Sequence, residues 1–318
     1  MQPFSGATTA ADVRTTSTMI TGQTFGSTVG ALEIGIMVEL FLFGLMSVQT
    51  LQYYKKFPND PWPTRTLVAI IWILELAHSV LTAHSVYWIT FIHYGRNEAL
   101  DRFPGSLIAA IFLSGIIGPA VQAFFANRVR KLTPVWAVAC IIWLLCLLRS
   151  VSLLAAALIA HELDSISRFG EKWQWLLITS LAISLVADYL IAGSLCCHLF
   201  YRRGSGGIFA RTKRMIDRLI LWAIQTGLLT SIGTVTTLVL FLMVENLAWL
   251  AVFLIIPKLF SNSLMASLNA QASFCTVEDQ VDFMGNTTFF RSHMGQSNML
   301  SIVAFDILEP TSRERKIP

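Results

Sequence analysis

The chain has 318 residues, of which 54% are hydrophobic and only 13% charged, with a mean hydropathy of +0.62 and a formal net charge of +4. Soluble domains carry about a quarter charged residues, so these totals exclude an ordinary soluble fold and point to a bilayer. The small net charge points to no nucleic-acid partner. None of the five cysteines falls in a segment expected outside, which leaves no extracellular disulfide framework.

Residues 1–27 are rich in Ser, Thr and Gly, carry only Asp12 and Arg14 as charges, and read as a flexible extracytoplasmic tail rather than a signal peptide. Apolar spans follow at 28–52, 66–92, 105–127, 135–160, 173–201, 218–244 and 247–269. Each is near or above the length of about 20 residues that a helix needs to cross a membrane. The expectation is therefore an all-α, seven-helix membrane bundle over residues 28–270, followed by a cytosolic, largely disordered tail over 271–318. The segment SIVAFDIL in that tail is a candidate docking site for a cytosolic partner.

Loop charges orient the bundle. With the N-terminus outside, the inner loops hold Lys55, Lys56, Arg65, Arg128, Arg130, Lys131, Arg202, Arg203, Arg211, Lys213, Arg214 and Arg218. The outer loops hold only Arg96, Arg102, Arg168 and Lys172. The bias favours N-out and C-in, with the plasma membrane preferred over an internal one. The glycine-broken, basic stretch RRGSGGIFARTKRM brings Arg202, Arg203, Arg211, Lys213 and Arg214 against anionic headgroups of the inner leaflet. Tryptophans 62, 88, 136, 173, 175 and 249 fall near span ends, as an aromatic belt or as ordinary packing.

Several pieces in order resemble a large family of fungal seven-helix membrane proteins defined by a domain of unknown function. They are Gln49 to Tyr54 with Phe57-Pro58 and Asp60, HSVLTAHSVY from His78, VQAFFANRV from Val121, ADYLIAGSL from Ala187, RTKRMIDRLI from Arg211, TGLLTS from Thr226, and KLFSNSLMASLNA from Lys258. The closing Ser-Asn-Ser and Leu-Asn-Ala motif is the most specific piece. Where that family ends it with a basic residue, this chain has Gln271. The resemblance implies the fold and the membrane location, and no activity.

A charge at bilayer depth costs about 2.5–3.5 kcal/mol even on the lenient insertion scale, so each one requires a partner. Glu39, Arg149 and Lys258 fall at similar depth, about 16 Å from the outer ends of their helices at the helical rise. The first and last helices of a seven-helix ring are neighbours, so Glu39 is expected to pair with Lys258. Lys258, Asn262 and Asn269 lie within about 40° of one another at the helical period, a polar stripe that must face inward. Glu75 and His78 share a face of the second helix and read as a polar couple able to hold a proton. Asp188 has no basic residue within a turn of its own helix, so it must reach across to His78 or Arg149 or stay protonated. Pro257 breaks the helical ladder just before Lys258, and the freed carbonyls next to Asn262 either serve a polar ligand or are re-satisfied by that side chain. Small residues, Ala31 with Gly35, Ser114 with Gly118, and Gly227 with Gly233, allow close helix packing.

No metal or cofactor site emerges. His84 lies about 120° around the helix from His78, whereas an i, i+4 spacing is needed for two ligands on one face; no histidine occurs in the sixth or seventh span, as a membrane zinc hydrolase would require. A retinal lysine would want an acid four residues before Lys258, where Leu254 stands. No nucleophile, base and orienter assemble from spacing alone, so the chain is expected not to be an enzyme. Seven spans, a basic third inner loop and a long inner tail favour a receptor-like or sensor protein. The alternative is a small transporter or channel with Glu39, Glu75, His78, Asp188 and Lys258 along its pathway; with Asn262 these make up the candidate intramembrane polar site. Asn286-Thr287-Thr288 is a formal N-glycosylation acceptor. With the C-terminus inside it stays unmodified in a glycosylating host, and a glycosidase-sensitive mass shift that Asn286→Gln removes would reverse the orientation.

Overall fold

The computed structural model describes residues 10–93, 102, 104–132, 136–163, 165–204, 210–244 and 247–293, with side chains chiefly of 28–93, 104–131, 136–163, 172–197, 227–244 and 247–270. The segment SIVAFDIL and the side chains of Arg202, Arg203, Arg211, Lys213 and Arg214 lie outside the described residues. Among the described residues there are seven α-helices and no strand. They are α1 (Ala10–Lys56), α2 (Trp62–Tyr87), α3 (Gly105–Leu132), α4 (Trp136–Leu163), α5 (Ile166–Gly204), α6 (Ala210–Met243) and α7 (Ala248–His293). A π-helical turn, Trp88–Ile92, prolongs α2.

Proline punctuates these elements. Pro58 follows the end of α1, while Pro61 caps α2 and Pro63 lies in its first turn, where the missing N–H costs nothing. Pro119 and Pro257 instead lie inside α3 and α7. No proline interrupts 10–56 or 258–293, so α1 starts within the expected outer tail and α7 continues past the expected end of its span. The apolar portions, Thr28–Lys56 and Ala248–Ala270, keep close to the expected limits. Contacts divide the chain after Asn269, and the unit from Ala270 onward carries the remainder of α7.

Six of the helices are long and apolar enough to cross a membrane: Thr28–Lys56, Trp62–Ile92, Gly105–Lys131, Trp136–Leu163, Lys172–Cys197 and Ala248–Ala270. They make the chain a multi-pass membrane protein. In α6 the described apolar part, Gly227–Met243, is shorter. Ile34, Met37 and Phe41 of α1 and Leu144, Leu147 and Leu158 of α4 are exposed, which suits contact with lipid tails. Trp62, Trp136 and Trp175 are likewise exposed, as a belt requires, whereas Trp249 packs edge-on against Phe241 at 4.9 Å.

Sequential helices run antiparallel. Trp72 Nε1 donates to Ser47 Oγ at 3.1 Å and Tyr54 Oη to Arg65 O at 2.7 Å, joining α1 to α2. Trp143 Nε1 donates to Ala123 O between α4 and α3. The first and last helices run parallel: Asn262 Nδ2 donates to Leu42 O at 3.0 Å and Asn269 Nδ2 to Gln49 O at 2.9 Å, so seven residues along one helix match seven along the other. Helix α7 is the hub. In its span 72% of the most apolar stretch is buried inside the protein, against 28% for α1 and for α4.

Gly35 permits the closest approach of α1 to α7. A Cβ at that position would lie 2.8 Å from Ala251 Cβ and 3.1 Å from its Cα. At Gly44 on the same helix nothing lies within 4 Å. Gly35→Ala is therefore expected to cost about 1–3 kcal/mol through overpacking, outweighing the helix-propensity gain of about 1 kcal/mol. Gly44→Ala gains without the clash. Thermal unfolding in detergent should show a lower midpoint for the first and an unchanged or raised one for the second.

Candidate functional site

Two buried polar clusters flank the middle of α7. The first is built by α1, α2, α3 and α7 around Lys258, which is fully buried together with Glu39, Glu75 and His78. Lys258 Nζ donates to the Glu75 carboxylate and to Glu75 O at 2.8 Å, and lies 3.5 Å from Glu39 Oε1. The other Glu75 carboxylate oxygen accepts from Ser261, one turn along α7. His78 Nδ1 meets Glu39 Oε1 at 2.9 Å, and its Nε2 meets Ser114 Oγ of α3 at 3.1 Å. The ring of Phe43 lies 5.3 Å from Lys258 Nζ and adds a cation–π contact.

The expected approach of Glu39 to Lys258 is present, with Glu75 as the nearer partner. The expected Glu75–His78 couple is not made. The two side chains share a face of α2 but diverge, Glu75 toward α7 and His78 toward α1 and α3. His84 belongs to neither cluster. Its Nδ1 lies 3.0 Å from Ser106 Oγ, which is 2.8 Å from Ser85 Oγ.

The second cluster is built by α3, α4, α5 and α6 on the other side of α7. Asp188 Oδ1 accepts from Gln122 Nε2 at 2.7 Å and Oδ2 accepts from Thr230 Oγ1 at 2.8 Å. Gln122 in turn accepts at Oε1 from Arg149 Nη1 at 2.9 Å. The expected link from Asp188 to Arg149 is thus relayed by one amide, and His78 takes no part. The Arg149 guanidinium lies 4.9 Å from the Phe260 ring of α7 and packs on Gly118, where a Cβ would come within 2.9 Å of Nη2. Beside Asp188, a small cavity of about 20 Å³ is lined by Phe125, Ile191, Gly227, Thr230, Phe260 and Ser263. That volume suits one water molecule.

Asn262 also donates to Lys258 O at 2.8 Å. It does not reach the carbonyl that Pro257 frees, which is that of Phe253, four residues earlier. Its role is to tie α7 to α1. Near the C-terminal end of α3, Arg128 Nη1 donates to Ser267 Oγ at 2.7 Å and ties α7 to α3. Among the described residues no group of three or more His, Cys, Asp or Glu side chains is placed to hold a metal ion.

Sequence reasoning missed Ser114, Ser261, Gln122 and Thr230. Hydroxyls in helices commonly bond their own backbone one turn back and so show no need of a partner; Ser114 Oγ does so with Ala110 O at 3.0 Å. Gln122 could have been found, because an amide in the apolar run from Val121 needs a partner as much as Asp188 does.

A model for a family of unknown function (DUF6534) matches residues 184–273. That stretch holds Asp188, Thr230, Lys258, Ser261 and Asn262, and so supplies one partner or more to each cluster. No curated protein and no solved structure matches the chain.

Removing one of two buried charges that compensate each other, directly as Lys258 and Glu75 do or through Gln122 as Arg149 and Asp188 do, leaves the other uncompensated, at about 3–5 kcal/mol. Lys258→Met and Arg149→Met are therefore each expected to lower the thermal midpoint strongly or to abolish monodisperse protein. Asn262→Ala removes no charge and should cost about 1 kcal/mol. Size-exclusion profiles and unfolding midpoints of the three variants check this order.

Proposed function

We propose that the chain is a seven-span receptor-like or sensor protein, N-terminus outside and C-terminus cytosolic, in which α7 carries a change of state to the inner side. The parallel run of α1 and α7 supports the span count. If both cross in the same direction, the number of crossings from first to last is odd, so α6 crosses as well. The excess of cationic residues in the inner loops supports the orientation. On this reading the family likeness extends from residue 28 to 271, as in the fungal seven-helix proteins, and no enzymatic activity is assigned.

The observation that carries the receptor-like reading is that one proline-containing helix takes part in both buried clusters. A transporter pathway would present its polar groups to a hydrated route. In this chain Glu39, Glu75, His78 and Lys258 have no exposure and bond one another, which supports a lock between helices that a signal can release. The plasma membrane is the preferred location, with Arg202, Arg203, Arg211, Lys213 and Arg214 on anionic headgroups and the tail after Gln271 read by a cytosolic partner. The second reading, a small transporter or channel, draws on the cavity beside Asp188.

Truncation and substitution separate the two. Deleting residues 272–318 should leave the unfolding midpoint and surface delivery unchanged while abolishing co-purification of the tail's partner. Asp188→Asn, which keeps most of the hydrogen bonds, should leave the solute content of intact cells unchanged. A loss of uptake in Asp188→Asn protein that still reaches the membrane would favour the transporter. Glycosylation acceptors inserted at 245–246 and at 205–209 should be modified at the first site and not at the second, and the reverse result would remove the N-out, seven-span topology.

A further inference from the structure

We infer that Glu39 and His78 form an intramembrane proton-binding site, holding one exchangeable proton beyond those of a neutral imidazole and a carboxylate. The inference stands whether the chain signals or transports.

Hydrogen bonding is the first argument. Ser114 Oγ has one proton and lies 3.0 Å from Ala110 O, which can only accept. With that proton given to the carbonyl, Ser114 Oγ can only accept from His78 Nε2 at 3.1 Å, so Nε2 carries a hydrogen. On the other side of the ring, Nδ1 lies 2.9 Å from Glu39 Oε1. A carboxylate and a bare ring nitrogen would both be acceptors there, and two acceptors at that distance repel. In this arrangement a second proton lies between them. It rests either on Nδ1, with Glu39 ionised, or on Glu39, with the ring neutral; in both cases the pair is neutral as a whole.

Charge balance is the second argument, and it is independent of the first. The ionisable groups facing this site are Glu39 from α1, Glu75 and His78 from α2, and Lys258 from α7, while α3 contributes only the Ser114 hydroxyl. Lys258 Nζ donates to the Glu75 carboxylate and to Glu75 O and lies 3.5 Å from Glu39 Oε1, the setting of an ammonium between two carboxylates. Glu75 accepts at both carboxylate oxygens, from Lys258 and Ser261, as an ionised carboxylate does. These two charges cancel. Glu39 is then the one charge left in a fully buried site unless the Glu39–His78 pair holds the extra proton, and a buried unmatched ion is strongly disfavoured. Arg149 cannot compensate it, because Gln122 links that side chain to Asp188 in the other cluster.

The consequence is mechanical as well as electrical. Loss of this proton removes the hydrogen bond between α1 and α2 and leaves one negative charge beside Lys258. The contact joining α1, α2 and α3 is therefore tied to proton occupancy.

The test uses the full chain in lipid nanodiscs at about neutral pH. His78 is one of six histidines, so a chain with His84, His93, His161, His198 and His293 replaced by Gln keeps the cluster intact and isolates its ¹⁵N ring signals. Infrared spectra, differenced against Glu39→Gln, report any protonated Glu39 carboxyl. The expected result is either a doubly protonated His78 ring or a neutral ring with a Glu39 acid carbonyl band. A neutral His78 ring with no such band overturns the proposal. Should the five-histidine variant not fold, the same ¹⁵N signals are assigned in the unmodified chain by their loss in His78→Asn, with the same two outcomes.

Discussion

The structure depends on the burial of the Lys258 ammonium in the middle of a transmembrane helix. A cation at that depth is tolerated only when its donors are spent on acceptors inside the protein. Helix α7 alone cannot provide them. The acceptors come from Glu75 on α2 and Glu39 on α1; Ser261 then takes the second oxygen of Glu75, while His78 shares Oε1 of Glu39 with Lys258. One charge thereby specifies which helices must touch α7, at which level and with which face. The cost of an unmatched ion is what turns a set of apolar rods, interchangeable in lipid, into one arrangement.

The second cluster works by the same constraint through a neutral intermediary. Gln122 presents its oxygen to Arg149 and its nitrogen to Asp188. It passes compensation between two ions whose side chains do not bond each other directly, although their helices pack together. Close packing makes this affordable: Gly118 leaves the space that the guanidinium fills, and Phe260 of α7 covers it. The two clusters meet α7 at Lys258 and Phe260, two residues apart on opposite sides, so a shift of this helix disturbs both together.

Much of this architecture was legible in the residues because the bilayer penalises errors so heavily. Length and apolarity located the six long spans, and similar depth with the adjacency of first and last helices brought Glu39 toward Lys258. What could not be read was the direction of each side chain. Glu75 and His78 are spaced as neighbours on α2, and spacing reports a shared face without reporting which surrounding helix each one reaches. Hydroxyls were silent for another reason, since Ser114 can satisfy its proton within its own helix and gives no sign of the imidazole it also serves. Helix ends were also obscured. Apolarity marks the edge of the hydrocarbon layer, whereas α1 and α7 run on as backbone until something breaks the ladder.

The amides of Asn262 and Asn269 carry one more implication. They pin the C-terminal half of the α7 span to the backbone of α1 at two points separated by two turns. Two pins prevent sliding, because a shift by one residue would break both attachments at once. The N-terminal half of the span lies just beyond them, across Pro257. Displacement of α7 that keeps these attachments is therefore restricted to bending at that proline, with the part of the span after it as the fixed arm and the part before it as the lever.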